Sequence, residues 1–341
     1  MKKSYVSGIS YYLPLGILSN SKLSEEFPEW SVDKISGKTG IYQRHISNDS
    51  EFSSDMAISA ASKLFDEYSF DKESVDYLLF CTQSPDYLLP TTACILQDKL
   101  GLRKTCGALD FNLGCSGFIY GLGLAKGLIE SGQADNVLLI TSETYSKFIN
   151  FRDKSNRTIF GDAAAAALIS ASPINEKVNL FIGSFAYGTD GSRFDKLIVK
   201  NSGIRHQCVP SQDRNDPDGN FLSNDDYLFM DGKEIFNFTA FEVPVLVKST
   251  LENNDLLPEN ISMYIFHQAN EFMLDFVRKR CQIPGEKFYI SLKDVGNTVS
   301  STIPIALKRY LSERETRKGD KILLAGFGVG LSMGGVVVTL E

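Results

Sequence analysis

Apolar positions along the chain come in two textures, short unbroken runs and longer runs at helical spacing. Their alternation predicts an α/β fold. Unbroken runs place strands over residues 4–12, 77–82, a short segment ending at Phe111, and then 136–141, 160–169, 261–266, 321–325 and 336–340. Runs at helical spacing place helices over 20–26, 54–68, 92–100, 116–131, 232–253, 271–281 and 302–313. In the second of these Met56, Ala60, Leu64 and Phe65 share a face, and Gly101 reads as the C-cap of the third. Residues 150–157 are a polar loop, and 200–226, dense in Asn, Asp, Pro, Gly and Ser, form a long excursion over a site or an interface.

The stretch from Cys106 to Thr141 organises the rest. It reads as strand, tight turn, helix, strand, with Cys115 at the first strand-to-helix turn and Gly114 and Gly117 beside it. A helix start offers unpaired N–H groups and the positive end of the dipole, so a lowered thiol pKa is expected there. The helix keeps Gly117, Gly121, Gly123 and Gly127, each costing about 1 kcal/mol relative to Ala, which predicts close neighbours on most sides. By itself a Cys in such surroundings is most often a small core residue.

The second half repeats this logic. A strand over 261–266 leads into His267-Gln-Ala-Asn270 and a helix, and Gly296-Asn297-Thr298 precedes another helix. Strand, reactive side chain, helix thus occurs twice, which suggests a duplicated α/β unit. A length of 341 residues fits two fused halves, with boundaries expected at 1–172 and 173–341.

Composition excludes several classes. A net charge of −7 argues against a nucleic-acid binder. Six cysteines without a C-x-x-C pair, and a start broken by Ser7, Gly8, Ser10 and Pro14, read as reduced thiols in a cytoplasmic protein with no secretory signal. No apolar run reaches the length of a membrane span. Gly37-Lys-Thr-Gly40 lacks the first P-loop glycine, since Val32 stands there, and the Gly-rich run 326–335 lacks dinucleotide spacing. Asp216, Asp218 and Asn220 lack the acidic residue that completes a calcium loop, so no metal site is expected.

Of the histidines His45, His206 and His267, only His267 ends an apolar strand, where α/β proteins place reactive groups. Cys115, His267 and Asn297 together supply a nucleophile, a proton handler and a hydrogen-bond donor, a working set for thioester chemistry. The runs Asn112-Leu-Gly-Cys-Ser-Gly-Phe118, Phe160-Gly-Asp162, His267-Gln-Ala-Asn270 and Gly296-Asn-Thr298 resemble those of the β-ketoacyl-acyl-carrier-protein synthase III family. Thr39-Gly-Ile-Tyr-Gln-Arg-His45 and Leu89-Pro-Thr-Thr-Ala-Cys94 resemble its N-terminal signatures, so the likeness spans nearly the whole chain in order.

That resemblance implies a thiolase-like five-layer α-β-α-β-α sandwich of two similar halves, each with a mostly parallel sheet, assembled as a homodimer. It implies that Cys115 takes an acyl group from acyl-CoA, while His267 and Asn297 bind and decarboxylate a malonyl thioester carried by acyl-carrier protein or CoA. The backbone N–H groups of Cys115 and Val329 match the oxyanion hole, although the family often has Gly where Val329 stands. Lys38 and Lys154 match arginines beside the CoA phosphates, Trp30 the adenine-stacking Trp, and Leu89 the residue that lines the partner's acyl pocket. A Leu at 89, smaller than an aromatic, implies room for a longer or branched primer. No cofactor is implied, because acyl-CoA and the malonyl thioester are substrates. Where the family commonly has Leu-Arg after the His-Gln-Ala-Asn run, to dock the carrier, this chain has Glu271-Phe272; Arg278, Lys279 and Arg280 further along are the alternative anchor. Asn297 disfavours thiolases, which use a second cysteine, and elongating synthases, which use a second histidine. A non-decarboxylating acyltransferase forming esters or amides on the same fold, and a non-catalytic partner subunit, are the remaining alternatives.

Overall fold

A computed structural model describes residues 2–174, 178–205 and 209–341. His206 and Cys208 lie outside the described residues. Nine strands make the main sheet: β1 Tyr5–Tyr12, β2 Tyr77–Cys81, β3 Gly107–Phe111, β4 Asn136–Glu143, β5 Ala163–Ser170, β6 Leu180–Thr189, β7 Met263–Phe266, β8 Lys321–Gly328 and β9 Ser332–Leu340. Six long helices pack on it: α1 Ser53–Tyr68, α2 Thr92–Leu100, α3 Gly117–Glu130, α4 Gly232–Glu252, α5 Glu271–Arg280 and α6 Thr302–Glu313.

The strand order is β7-β8-β9-β6-β1-β5-β4-β2-β3. One half contributes β3-β2-β4-β5-β1 and the other β7-β8-β9-β6. The halves meet where β1 and β6 pair through Tyr5–Phe181 and Val6–Leu180. The second series repeats the first with β7, β8, β9 and β6 in the places of β2, β4, β5 and β1. An isolated parallel bridge from Tyr264 to Phe288 stands where β3 would be. Helices α3 and α6 touch strands of both halves and form the middle layer; α1 and α2 cover one outer face, and α4 with α5 the other. This is a five-layer α-β-α-β-α sandwich.

Several expectations are corrected. The halves are mixed rather than mostly parallel: β2/β3, β2/β4 and β7/β8 are parallel, whereas β4/β5, β5/β1, β8/β9 and β9/β6 are antiparallel. The reason in the second half is short-range, since only residues 329–331 separate β8 from β9 and so tight a connection returns the chain antiparallel. The strand expected over 321–325 continues to Gly328, and that expected over 160–169 starts only at Ala163. The polar loop 150–157 ends in a short helix, Lys154–Arg157. Gly37-Lys-Thr-Gly40 closes an unanticipated helix, Val32–Thr39, with Gly40 in the left-handed region at φ 71° as its cap. The excursion after residue 200 is pinned by Leu197–Val199 pairing with Leu228–Met230 and by Arg214–Asn215 pairing with Phe221–Ser223. Within it Asp216 accepts hydrogen bonds from the backbone of Asp218 and Asn220, so its carboxylate is used by its own turn.

Candidate active site

Each reactive side chain is held by the turn that follows a strand. Cys115 lies between β3 and α3, with Gly117 N–H donating to Gly114 O. A Cβ on Gly328 would lie 2.8 Å from Cys115 Sγ, so that glycine allows the nucleophile its place, and one on Gly117 would lie 2.3 Å from the neighbouring Cys81 Sγ. His267 follows β7, its N–H donating to Ala325 O, and Gln268 ties the turn by accepting from Ser291 N–H and donating to Phe266 O. Asn270 caps α5 by accepting from Met273 N–H.

Asn297 is sewn to the Phe160-Gly-Asp162 run. Its N–H donates to Ile159 O at 2.9 Å and its C=O accepts from Gly161 N–H at 3.0 Å. Gly161 is required there, since a Cβ would lie 2.7 Å from Val295 O. Asp162 anchors the run by accepting from the N–H and hydroxyl of both Ser47 and Ser146. Arg44, from the Thr39–His45 signature, is fully buried behind this turn and donates to Leu18 O, Asn20 Oδ1 and Thr158 O.

Cys115, His267 and Asn297 line one cavity of about 420 Å³, together with Phe160, Leu197, Met230, Phe236, Phe272, Phe327 and Gly328. His267 Nδ1 lies 2.8 Å from Thr302 Oγ1, and its Nε2 lies 3.5 Å from Asn297 Nδ2. Phe327 packs edge-on against the imidazole. Asn297 Oδ1 accepts from Val299 N–H at 2.9 Å, which turns its amide nitrogen into the cavity. Burial lowers the pKa of His267 to about 3, so the ring is neutral at physiological pH.

The thiol departs from expectation. Burial pushes Cys115 up to about 12, and the backbone of Val329 and of Cys115 itself pulls it only part of the way back. Desolvation of a sulfur that is 5% exposed outweighs the helix terminus. Nearby Glu143, raised to about 8 mainly by burial, accepts from Gln83 N–H and Ser300 Oγ–H and adds to the same push.

Val329 does not need a glycine conformation. The positive φ of its turn falls on Gly330, at 131°, while the backbone of Val329 still lowers the pKa of Cys115. Trp30, Lys38 and Lys154 do converge: the Nζ atoms of Lys38, Lys154 and Lys34 sit 5.2, 5.9 and 5.4 Å from the Trp30 ring centroid, and Lys154 pairs with Glu29 at 2.6 Å. Lys34 was not anticipated; its signal was the i, i+4 spacing with Lys38. Leu89 is 82% exposed and does not line the cavity of its own chain. Across the Val329 turn a second hollow of about 300 Å³ is lined by Gln83, Asn112, Tyr145 and Val329, and it shares Leu197 with the first. In the basic cluster, Arg278 and Lys279 both pair with Asp275 and Arg280 lies over Phe241. Among the described residues no helix is long and apolar enough to cross a membrane. Thr302 and Val299, which hold His267 and Asn297, escaped sequence reasoning because nothing in the run Thr298–Thr302 singles out one hydroxyl.

A two-half α/β sandwich with Cys, His and Asn converging on one cavity defines a thiolase-like protein built for thioester chemistry. The chain belongs to the 3-oxoacyl-[acyl-carrier-protein] synthase III family: the model of that family matches residues 109–191 and the model of its C-terminal part residues 251–340. The beta-ketoacyl-[acyl-carrier-protein] synthase III of Clostridium perfringens is 37% identical over 340 residues, covering 100% of both chains. A solved 3-oxoacyl-(acyl-carrier-protein) synthase III superposes with a TM-score of 0.94 at 42% identity over 99% of each chain. The corresponding structure from Pseudomonas aeruginosa gives 0.85 at 31% identity, covering 99% of this chain and 98% of that one.

Proposed function

We propose that this chain is a condensing enzyme of fatty acid biosynthesis that moves an acyl group from acyl-CoA onto Cys115 and extends it with a malonyl thioester to a 3-oxoacyl product. The observation that carries the reading is the convergence of Cys115, His267 and Asn297 in one cavity of a full-length family member. The sulfur of Cys115 attacks the thioester carbonyl as its thiol proton is lost, the bond from that carbonyl to the CoA sulfur breaks, and the proton is taken up by the leaving CoA thiolate, so CoA departs as the free thiol. The N–H groups of Cys115 and Val329, whose backbones already lower the pKa of the resting thiol, stabilise first the thiolate and then the oxyanion. The malonyl thioester then breaks its bond to the carboxylate and CO2 departs. The electron pair left behind forms an enolate whose oxygen faces His267 and Asn297; it attacks the acyl carbonyl and the Cys115 sulfur is released. Because the carboxylate leaves as CO2, the step calls for neither a strong base nor a cofactor. The ester- or amide-forming alternative is not favoured by the relatives.

Acyl-CoA would enter past Trp30, Lys38 and Lys154, whose joint positive charge suits an anionic nucleotide; Lys offers this without the bidentate fork of Arg. The acyl chain would occupy the hollow beyond Val329, covered by Leu89 of a second copy in a homodimer; the exposure of Tyr87, Leu88 and Leu89 supports such a contact. The halves would divide at 1–172 and 173–341, and the cytoplasm is the expected location. The malonyl donor would be acyl-carrier protein or CoA. With Arg278 and Lys279 already paired to Asp275, docking of an acidic carrier would fall chiefly on Arg280. The test is mass spectrometry of the intact protein with a panel of acyl-CoAs, followed by CO2 release from malonyl-CoA. Acyl mass on Cys115 and CO2 release are expected; acylation of Cys94 or Cys281 instead would defeat the assignment.

A further inference from the structure

His267 helps a developing enolate only as a donor, so the proton of its neutral ring must sit on Nε2, the nitrogen that faces Asn297. The partner of Nδ1 sets that tautomer. Thr302 Oγ1, on the first residue of α6 and buried, lies 2.8 Å from Nδ1. The same hydroxyl lies 2.9 Å from Val299 O, but that carbonyl already accepts the backbone N–H of Thr302. The hydroxyl proton can therefore go to Nδ1 without leaving the carbonyl unpaired.

We propose that Thr302 is a positioning residue for the condensation: its hydroxyl donates to Nδ1 of His267 and holds the ring as the Nε2–H tautomer. Two N–H donors, His267 Nε2 and Asn297 Nδ2, then stand side by side toward the cavity. Their 3.5 Å separation is long for a hydrogen bond between them and suits two donors that converge on one oxygen. Val299 supports both partners at once, giving its N–H to Asn297 Oδ1 and accepting the backbone N–H of Thr302 at its carbonyl. It does so at φ 54°, a conformation that β-branched residues rarely adopt. The Val299 backbone already favours a proton on the ring, so once no hydroxyl donates to Nδ1 the proton moves there. Nε2 then presents a lone pair to the enolate oxygen and repels it. This inference rests on the condensing function proposed above.

The test compares wild type, Thr302→Val and Thr302→Ser as intact proteins. Histidine nitrogen NMR reads the tautomer, and with only three histidines in the chain His267→Gln identifies the resonance. Wild type and Thr302→Ser should show protonated Nε2, and Thr302→Val protonated Nδ1. CO2 release from malonyl-CoA should fall roughly 10²–10³-fold in Thr302→Val, the loss of one oxyanion-type donor, and recover in Thr302→Ser, while acylation of Cys115 is unchanged. Protonated Nδ1 in wild type would overturn the inference, and so would an unchanged tautomer in Thr302→Val. The wild-type spectrum decides by itself if Thr302→Val does not fold. If wild type releases no CO2 yet the tautomers behave as expected, the condensing function fails and the role of Thr302 stands.

Discussion

The glycines of α3 offer a test with opposite signs along one helix. Replacing a helical Gly by Ala recovers about 1 kcal/mol of backbone propensity, so the sign depends on what the new methyl meets. At Gly127, which is exposed, nothing lies within 4 Å of the added Cβ, and Gly127→Ala should stabilise by about 0.5–1 kcal/mol. At Gly117 the Cβ would stand 2.3 Å from Cys81 Sγ, and that sulfur cannot retreat freely because it donates to Leu113 O at 3.0 Å. Overpacking of this kind costs about 1–3 kcal/mol, so Gly117→Ala should be destabilising or at best neutral. It should also slow Cys115 acylation, since Cys115 is two residues away. Adding Cys81→Ala removes the obstructing sulfur and should return most of the loss, a coupling of roughly 0.5–3 kcal/mol between the two sites. Denaturant unfolding of the two singles at 117 and 81, the double variant and Gly127→Ala measures all of this. If Gly117→Ala and Gly127→Ala shift stability equally, close approach is not what keeps glycine in the helix. A loss at Gly127 would reveal a neighbour on that face, where Leu124 is also exposed.

Three further outcomes are expected. His267→Ala and Asn297→Ala should each cut CO2 release by about 10²–10³-fold while leaving Cys115 acylation largely intact; single-turnover assays of the two steps check this, and loss of acylation with decarboxylation kept would reverse the roles. Because burial holds the folded pKa of His267 near 3, below its unfolded value, the unfolded chain binds the extra proton first and stability is lost as pH falls from about 6.5 towards 3, at up to about 1.4 kcal/mol per pH unit. His267→Gln should show a shallower decline in urea unfolding between pH 6 and 4, and parallel curves would mean that the ring is not desolvated. Leu89→Trp should shorten the longest acyl-CoA accepted without changing the rate with acetyl-CoA, as read by intact mass; a monomer in sedimentation would remove the basis for any effect at this residue.

Strands and helices with continuous or periodic apolar patterns were legible because burial on both faces of a sheet, or on one stripe of a helix, leaves a direct trace. Strand β6 left none that was read. Its residues alternate buried and partly exposed and carry Gly183, Ser184 and Gly188, and its place is decided by β9 and β1 on either side. The site residues were legible because each sits in a turn with its own glycines. The electrostatics were not: the helix end at Cys115 is visible in sequence, but the burial that outweighs it comes from Gly328, Phe327 and Asn297, more than 180 residues away. Likewise the pairing of Lys34, Lys38 and Lys154 on Trp30 needs two segments over a hundred residues apart.

The repeated strand order gives this site a simple logic. In each half a middle-layer helix follows the turn at the same topological place, α3 after β3 and α6 after the short bridge at Phe288. Cys115 occupies the first of these turns and Asn297 the second, so nucleophile and amide face one another across the seam between the halves. His267 comes from the preceding strand of the second half, β7. Its counterpart after β2, Thr82, is a buried hydroxyl that lies 3.3 Å from Ser84 Oγ. One repeated arrangement thus carries different residues at equivalent places in the turns, while β1 and β6 join the halves. On the proposed function the reaction divides accordingly: the first half would hold the acyl group, the second would handle the malonyl carbonyl, and the backbone of Val329, just past the end of β8, is what the second half lends to the sulfur of the first, lowering its pKa.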